Sequence, residues 1–330
     1  MISQRWIVVI PPRGAAREVM LQTIAAISDL SNITIKEFDC LKYENAFNSI
    51  LKHPEYNLVT DLLDQSLVIS CLDFDATHCL IGALSPVTLF TLNLLRKKGI
   101  KTIHWFFEDY QRTTYWRDVI SGYDYFCAIQ QGPFTELCNE NSSVFHFLPT
   151  AYGGKKLPVL PPEKSFDIAF IGLPSPYRIS ILERLCKEGF SLRIAGSGWN
   201  AYSGLLSDSI IETSWINHDQ MMKLLTESKI GLNLSIENPA NREDVHISPR
   251  VYDVLAAGCV LVTEEVLLLY RSLPLCHFYT FKEMAELVDV CNSVLQNYSD
   301  ENKHRDQNRQ LIMQYHCYSH RIEELIRLVS

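Results

Sequence analysis

The stretch His246–Thr263, HISPRVYDVLAAGCVLVT, decides the fold, because its pattern predicts a loop, a helix, a glycine stop and a buried strand in succession. Ser248 is a favourable N-cap, and Pro249 suits the first helical position, where no backbone donor is needed. Gly258 fits the left-handed exit of the helix. The apolar run CVLVT that follows is typical of a strand covered on both faces.

The start of this helix has the chemistry to bind a phosphorylated ligand. Its free N–H groups and positive dipole end suit a phosphate, and Arg250 in the first turn can add a two-pronged contact. Asp253 follows three residues later on the same face, where a carboxylate can accept both hydroxyls of a ribose. We therefore predict that the helix holds a nucleotide diphosphate and its sugar. The alternative is that Arg250 and Asp253 only pair with each other on a solvated helix.

The segment Asp253–Gly258, DVLAAG, resembles the E-x-x-A-x-G segment of GT-B glycosyltransferases, with Asp in place of Glu. The wider frame, PRVYDVLAAGCVLVTE with the C-terminal YHCYSHRIEEL, is similar to the CgeB/YkvP-like group of bacterial glycosyltransferases. The resemblance covers most of the chain and is best from about His104 onwards. It departs from the retaining pattern at Val245, where those enzymes carry a second Glu eight residues before the Asp253 position. We therefore expect inversion with a carboxylate base, and a retaining course stays open.

Composition sets the limits on the class of protein. The chain has 330 residues, enough for two ordinary domains, and its 47% hydrophobic and 21% charged content is that of a globular protein. A net charge of −8 argues against a nucleic-acid partner and disfavours DNA glucosylation. The sequence has no apolar run of about 18 residues, and the N-terminal apolar core is too short for a signal peptide. Ten cysteines without a C-x-x-C pair fit reduced thiols, so we expect a cytoplasmic protein, with peripheral membrane contact left open.

Strand-like and helix-like segments alternate along the chain, which favours parallel sheets. The predicted strands are Arg5–Ile10, Ile33–Asp39, Thr77–Ala83, Thr102–Phe107, Tyr123–Ile129 and Val144–Leu148, then Asp167–Ile171, Leu192–Ala195, Glu212–Ile216 and Ile230–Leu234. The predicted helices include one ending near Asp29, Asp61–Cys71, Pro86–Gly99, Arg178–Glu188, one capped by Asn217 or Asp219 and running to Ser228, and a charged region from Glu301 to Ser330. Glycine, lysine and proline crowd together from Gly153 to Pro162, as at a domain boundary.

The resemblance implies an α/β fold of the GT-B type, with two Rossmann-like doubly wound domains facing each other across a cleft. We assign residues 1–155 to an acceptor domain and 156–305 to a nucleotide-sugar donor domain. Residues 306–330 are expected to form a C-terminal helix that packs back towards the first domain, as in the family.

Three further places in the second domain are candidates for donor binding. Gly172 follows a strand and Arg178 follows the loop, where a bare backbone and a cation favour a diphosphate. Gly196 closes the next strand in the same way. Trp215 and Asn217 lie where a GT-B enzyme frames the nucleotide base. The alternatives are ordinary turns, a surface arginine and a core tryptophan.

In the first domain, Glu108 and Asp109 end the strand TIHWFF. An inverting transferase needs one general base to remove the acceptor proton, and the family shows a similar acidic place. Asp109 is the first candidate and Glu108 the second, and the alternative is a capping pair without chemistry. His104 alternates inward along the strand, which favours a packed histidine.

No metal cofactor is expected. The triplet Asp73–Asp75 matches the metal-binding D-x-D motif of another transferase fold, but two carboxylates alone make a poor metal site. His316, Cys317 and His320 have the wrong spacing for a standard zinc site. The mixed-charge loop Asn241–Asp244 either closes over the donor sugar or is simply solvated.

Together these features predict a metal-independent, hexosyltransferase-like enzyme of bacterial glycan or glycoprotein biosynthesis. It would move a sugar from a nucleotide-diphosphate sugar to an unknown acceptor, whether protein, glycan or lipid-linked. Two other functions stay open: a catalytically silent nucleotide-sugar binding protein of the same fold, and a sugar-nucleotide epimerase.

Overall fold

The computed structural model describes residues 4–30, 33–52, 55–239 and 245–330, and the chain divides into two compact units. Unit 1 comprises residues 1–150 together with 318–330, and unit 2 comprises residues 151–317. Each unit has its own six-stranded, all-parallel sheet. The predicted pair of doubly wound α/β domains is therefore confirmed. In the parts of the chain that are described, no helix combines the length and apolar character needed to cross a bilayer.

Unit 1 has strand order β2-β1-β3-β4-β5-β6. Its strands are β1 (Gln4–Ile10), β2 (Ile33–Asp39), β3 (His78–Gly82), β4 (Lys101–Phe106), β5 (Tyr125–Ala128) and β6 (Val144–Phe147). Its helices are α1 (Gly14–Ile27), α2 (Cys40–Leu51), α3 (Tyr56–Asp73), α4 (Leu89–Lys97), α5 (Trp116–Val119), α6 (Phe134–Glu140) and α13 (Tyr318–Val329). The central strands β1, β3 and β4 are buried along most of their length, as is typical of strands covered by helices on both faces of a parallel sheet.

Unit 2 has strand order β12-β11-β10-β7-β8-β9. Its strands are β7 (Phe166–Ile171), β8 (Leu192–Ala195), β9 (Ile210–Glu212), β10 (Ser228–Asn233), β11 (Val260–Glu264) and β12 (Tyr279–Phe281). Its helices are α7 (Pro176–Lys187), α8 (His218–Thr226), α9 (Pro249–Ala256), α10 (Leu267–Ser272), α11 (Met284–Gln296) and α12 (Asn302–Tyr315). One face of the sheet packs on α8, α9 and α12, and the other packs on α7 and α11.

The central stretch folds as the sequence predicts. Ser248 caps α9 by accepting a hydrogen bond from the Arg250 N–H at 3.3 Å, and Pro249 is the first helical residue. Gly258 has φ +65°, so the left-handed exit is real, and β11 is buried along its whole length. The strand sits one residue later than predicted, from Val260 to Glu264.

Two predicted boundaries are wrong for local reasons. Helix α4 begins at Leu89 and not at Pro86, because the Thr88 hydroxyl accepts from the Thr91 N–H and caps the helix there. Strand β9 ends at Glu212, whose carboxylate accepts from the N–H groups of Thr213 and Ser214 and turns the chain.

The charged C-terminal region is two helices, α12 in unit 2 and α13 in unit 1. The break falls at His316 and Cys317, where the His316 carbonyl accepts from the Tyr152 N–H at 2.8 Å. Unit 2 begins at Ala151, and Tyr152 is buried within it. Helix α13 packs against α1 within unit 1, and its Glu324 pairs with His146 at 2.7 Å.

Candidate functional site

The carboxyl edge of unit 2 contains a topological switch point between β7 and β10. The chain leaves β7 towards β8 and β9 on one side, and then returns to β10 and continues to β11 and β12 on the other. In open α/β sheets, ligands bind in the crevice outside the carboxyl ends of the strands at such a point. The loops after β7 and β10 therefore form the candidate ligand site of unit 2.

Arg178 joins these two loops. Its guanidinium donates to the backbone carbonyls of Leu173, Leu234 and Ser235 at 2.9, 2.7 and 3.1 Å. It also lies over the Phe170 ring, 5.4 Å from the centroid. Arg178 is thus not a loose surface cation, because it fixes the ends of both switch-point strands. It adds positive charge at this edge while holding the backbone of the loops in place.

The loops after β7 and β8 touch each other through glycine. A Cβ atom on Gly196 would lie 2.4 Å from the carbonyl oxygen of Gly172, and Gly196 has φ +145°. The same Gly172 carbonyl accepts from the indole N–H of Trp199 at 2.8 Å. A side chain at Gly196 would therefore push the two loops apart. The contact between the two loops brings two glycine backbone segments to the switch-point edge. A diphosphate can approach such backbone closely, because no side chain is in the way.

Helix α9 presents its N-terminus after the loop that leaves β10. Arg250 lies in the first turn, and its Nη1 is 3.5 Å from a carboxylate oxygen of Asp253. The other Asp253 oxygen is 3.9 Å from Nδ1 of His218, the first residue of α8. The pair with Arg250 therefore forms. Because Asp253 is only 5% exposed, the alternative that this pair lies on a solvated helix is excluded. His218, which was not among the predicted site residues, joins Arg250 and Asp253 in a polar cluster between α8 and α9.

Trp215 and Asn217 precede α8 at the same edge. Trp215 is 51% exposed, which excludes the alternative that it is a core residue. Asn217 forms a capping box, since its side chain accepts from the Gln220 N–H and its own N–H donates to the Gln220 side chain. The predicted cap at Asn217 is confirmed, and this side chain is largely committed to the helix start.

Glu264 is a residue that the sequence analysis passed over. It ends β11, is 2% exposed, and accepts from the Ser235 N–H at 2.7 Å. Burial raises the pKa of this carboxyl above its usual range, although the bond from Ser235 opposes the shift. The signal was an acidic residue placed directly after the apolar run CVLVT. Glu264 therefore holds the backbone at Ser235, the same residue whose carbonyl accepts from Arg178.

In unit 1, Glu108 and Asp109 lie just beyond the carboxyl end of β4, as predicted. Burial raises the pKa of the Glu108 carboxyl to about 7, with the Asp109 charge adding to the shift and Arg112 opposing it. Asp109 is 7% exposed, and its carboxylate accepts from the Gln111 N–H at 2.9 Å. Its backbone carbonyl accepts from the N–H groups of Arg112 and Thr113. Asp109 thus shapes the turn, while Glu108 has the proton affinity of a base at neutral pH.

His104 is a packed histidine, as the strand alternation predicted. It is fully buried, and burial lowers its pKa to about 3, so the ring is neutral. One ring nitrogen bonds the Ile81 carbonyl at 2.9 Å and the other bonds the Tyr115 hydroxyl at 3.1 Å. The Tyr115 oxygen also accepts from the Leu84 N–H at 2.9 Å. Leu84 has φ +63°, a costly conformation for a leucine, so this network holds a strained loop at the edge that carries Glu108.

The two metal-like motifs of the sequence are Asp73–Asp75 and the group His316, Cys317 and His320. Asp73 and Asp75 are exposed and precede β3, so they lie at the amino edge of the sheet. Within the described residues, neither these aspartates nor His316 and Cys317 contribute to a group of three metal-ligating side chains. The mixed-charge loop Asn241–Asp244 lies outside the described residues.

Two Rossmann-like units, each built on a six-stranded parallel sheet flanked by helices, define the GT-B fold class. Residues 178–327 match the family described as glycosyl transferase-like, which covers most of unit 2. No curated protein sequence matches the chain.

Solved structures similar to this one share its fold over nearly the whole chain. Anabaena HepE, solved with UDP and glucose, has 10% identity and a TM-score of 0.66, covering 99% of each chain. Sucrose-phosphate synthase from Thermosynechococcus elongatus has 11% identity and a TM-score of 0.67, again over 99% of each chain. UDP-GlcNAc 2-epimerase from Neisseria meningitidis, bound to UDP-GlcNAc, has 12% identity and a TM-score of 0.57, over 98% of this chain and 100% of that one. At these identities the likeness establishes the fold.

Proposed function

We propose that this protein is a glycosyltransferase that moves a hexose from a nucleotide-diphosphate sugar to an acceptor hydroxyl. The observation that carries the proposal is the arrangement, at the carboxyl edge of unit 2, of two touching glycine loops and a capped helix start, of which Gly196 and α9 lie in the region matched as glycosyl transferase-like. Bare backbone and a helix N-terminus together suit a diphosphate. HepE and the epimerase, which share the fold, were solved with UDP or a UDP-sugar.

Unit 2 would bind the donor. The diphosphate would lie against the N-terminus of α9 at Ser248, near Arg250 and the loops at Gly172 and Gly196. Asp253 would accept the ribose hydroxyls, as its cluster with Arg250 and His218 keeps a carboxylate at this helix. Trp215, half-exposed beside α8, would stack on the base, with Asn217 at its side.

The leaving group would need no metal. When the bond between the sugar carbon and the diphosphate oxygen breaks, its electron pair stays on the diphosphate. The helix dipole and the guanidinium groups of Arg250 and Arg178 would stabilise that charge. In this mechanism the protein supplies fixed positive charge where other transferases use a divalent cation.

Unit 1 would supply the base. We propose Glu108 as the general base in preference to Asp109. The raised pKa of Glu108 suits proton transfer near neutral pH, whereas the Asp109 carboxylate accepts from the Gln111 N–H in the turn that follows. The Glu108 carboxylate would take the acceptor proton as the acceptor oxygen bonds to the sugar carbon. This single displacement inverts the configuration at that carbon.

We propose the CgeB/YkvP-like group and a role in bacterial glycan or glycoprotein synthesis from the motifs around Asp253. A cytoplasmic location is supported by ten free cysteines, most of them buried in apolar surroundings.

The test is donor turnover by the full chain. UDP-, GDP-, dTDP- and CMP-sugars are screened by thermal shift, and the stabilising donor is then incubated with EDTA while nucleotide release is measured. Slow release of nucleoside diphosphate, lost in Glu108→Gln, is the expected result. Conversion of the donor to an epimer without nucleotide release would replace the proposal with the epimerase. Tight nucleotide binding without turnover of any donor, with or without candidate acceptors, would indicate the silent binding protein.

A further inference from the structure

Three potential metal ligands of unit 2 converge at the amino edge of its sheet. His277 lies just before β12, Glu301 is the N-cap residue of α12, and His304 lies in the first turn of that helix. Nε2 of His277 is 3.7 Å from Oε2 of Glu301, and Nδ1 of His304 is 3.4 Å from the same oxygen. The two imidazole rings face each other, with centroids 4.0 Å apart. One ligand atom from each residue lies within 4.8 Å of the other two.

The surroundings hold these groups in place. The His277 backbone is clamped by Asn308, which accepts from its N–H at 2.8 Å and donates to its carbonyl at 2.7 Å. The second oxygen of Glu301 accepts from the Tyr279 hydroxyl at 2.6 Å. Nε2 of His277 is buried and makes no hydrogen bond, although it faces the carboxylate. A buried, unsatisfied nitrogen beside an oriented carboxylate is the arrangement that a cation would complete.

We propose that His277, Glu301 and His304 form a Zn²⁺ site. Two imidazoles and one carboxylate suit zinc, whereas Mg²⁺ and Ca²⁺ prefer oxygen ligands alone. Zinc–ligand bonds of about 2.0–2.2 Å in a tetrahedral site place neighbouring ligand atoms about 3.3–3.5 Å apart. The observed separations from Glu301 need only a small adjustment. Three protein ligands leave the fourth position to water.

The place of this site in unit 2 gives it a structural role. The ion would join the start of β12 to the start of α12, and α12 packs against α9, the helix proposed to bind the donor. It lies at the amino ends of β11 and β12, whereas the donor residues lie beyond the carboxyl ends. Strand β11 alone, at five residues, separates the two edges by about 16 Å. The zinc would therefore brace unit 2 without touching the donor.

The experiment titrates the EDTA-treated, desalted full chain with Zn²⁺ by calorimetry, with no nucleotide present. Co²⁺ absorption reports the coordination geometry, and thermal denaturation is measured with and without Zn²⁺. We expect one ion per chain, tetrahedral Co²⁺ bands and a raised melting temperature. His304→Ala and Glu301→Gln should each lower Zn²⁺ affinity at least about tenfold, and Tyr279→Phe should lower it by a similar factor through the lost carboxylate contact.

His146→Ala is the matched control, because His146 pairs with a single carboxylate in unit 1 and should leave Zn²⁺ affinity unchanged. His304 has 43% of its side chain exposed, so its replacement should not prevent folding, which circular dichroism checks. Absence of Zn²⁺ binding in the unaltered chain would overturn the site, as would equal affinity in His304→Ala. Neither result depends on donor turnover, so the zinc site and the proposed transferase fail separately.

Discussion

The carbonyl oxygen of Gly172 lies 2.4 Å from the position that a Cβ atom on Gly196 would occupy. Gly196→Ala must therefore move one of the two switch-point loops, in addition to straining a backbone at φ +145°. We expect a loss of more than about 3 kcal/mol in unfolding free energy, or a folded protein that no longer binds nucleotide. Chemical denaturation and nucleotide titration measure the two effects.

Gly189→Ala is the control for this change, because Gly189 also has a positive φ, +90°, but faces open space. It should cost only about 1–2 kcal/mol of backbone strain. Equal effects of the two substitutions on stability and on nucleotide binding would show that contact between the loops has no special importance.

Asp253→Asn tests the ribose contact. An amide keeps the shape of the side chain but replaces one acceptor oxygen with a donor NH2 group, which cannot accept from the second hydroxyl, so we expect nucleotide affinity to fall about tenfold or more. Isothermal titration with the donor nucleotide measures it. Asp219→Asn, an exposed change one helix away, should leave affinity unchanged. Retention of full affinity by Asp253→Asn would limit this carboxylate to its pair with Arg250.

Trp215→Ala tests the base contact. Since Trp215 is half-exposed, its removal should alter folding stability by less than about 0.5 kcal/mol, but the loss of stacking should weaken nucleotide binding by about 1–3 kcal/mol. Trp199→Ala is the opposite case. Because Trp199 is buried, its replacement should lower the unfolding free energy by about 3–5 kcal/mol. Unchanged nucleotide affinity in Trp215→Ala would place the base elsewhere.

Glu108→Gln should have opposite effects on activity and stability. The pKa of Glu108 is raised from 4.5 to about 7, so between these values the folded protein holds a proton that the unfolded chain has lost. Its stability therefore falls as pH rises through that window, and Glu108→Gln should gain about 1–3 kcal/mol at pH 8 but little at pH 4.

Turnover by the unaltered protein should rise with pH through about 7, as the base loses its proton, and should fall about 100-fold or more in Glu108→Gln. Denaturation and initial rates across the pH range report both effects. Glu140→Gln, an exposed change in the same unit, serves as the control. A flat pH profile of turnover would remove Glu108 from the role of base.

Asp109→Ala should lower turnover more than donor binding. Its carboxylate holds the turn that follows Glu108, so its loss should misplace the base without touching the donor residues of unit 2. Steady-state rates and donor titration separate the two quantities. If Asp109→Ala retains full turnover, the turn tolerates the change and Asp109 has no part in catalysis.

The sequence by itself determined the local features of this protein. The start of α9 was predicted from the Ser248–Pro249 step, and its end from Gly258. The alternation of apolar runs with helices predicted two doubly wound domains. These signals act within a few residues, so the sequence alone carries them. It also placed Glu108 and Asp109 correctly after their strand. Boundaries failed where a side chain bonded its own backbone, as Glu212 does beyond β9.

Only the tertiary structure decided which of these residues act together. The environment of Asp253 depends on His218 from another helix, and Arg178 joins loops that are about 60 residues apart in the chain. The raised pKa of Glu108 follows from burial and the neighbouring Asp109 charge, which no spacing in the sequence encodes. His277, Glu301 and His304 likewise meet only because α12 folds back onto the start of β12, so their metal-ligand chemistry has no motif in the sequence.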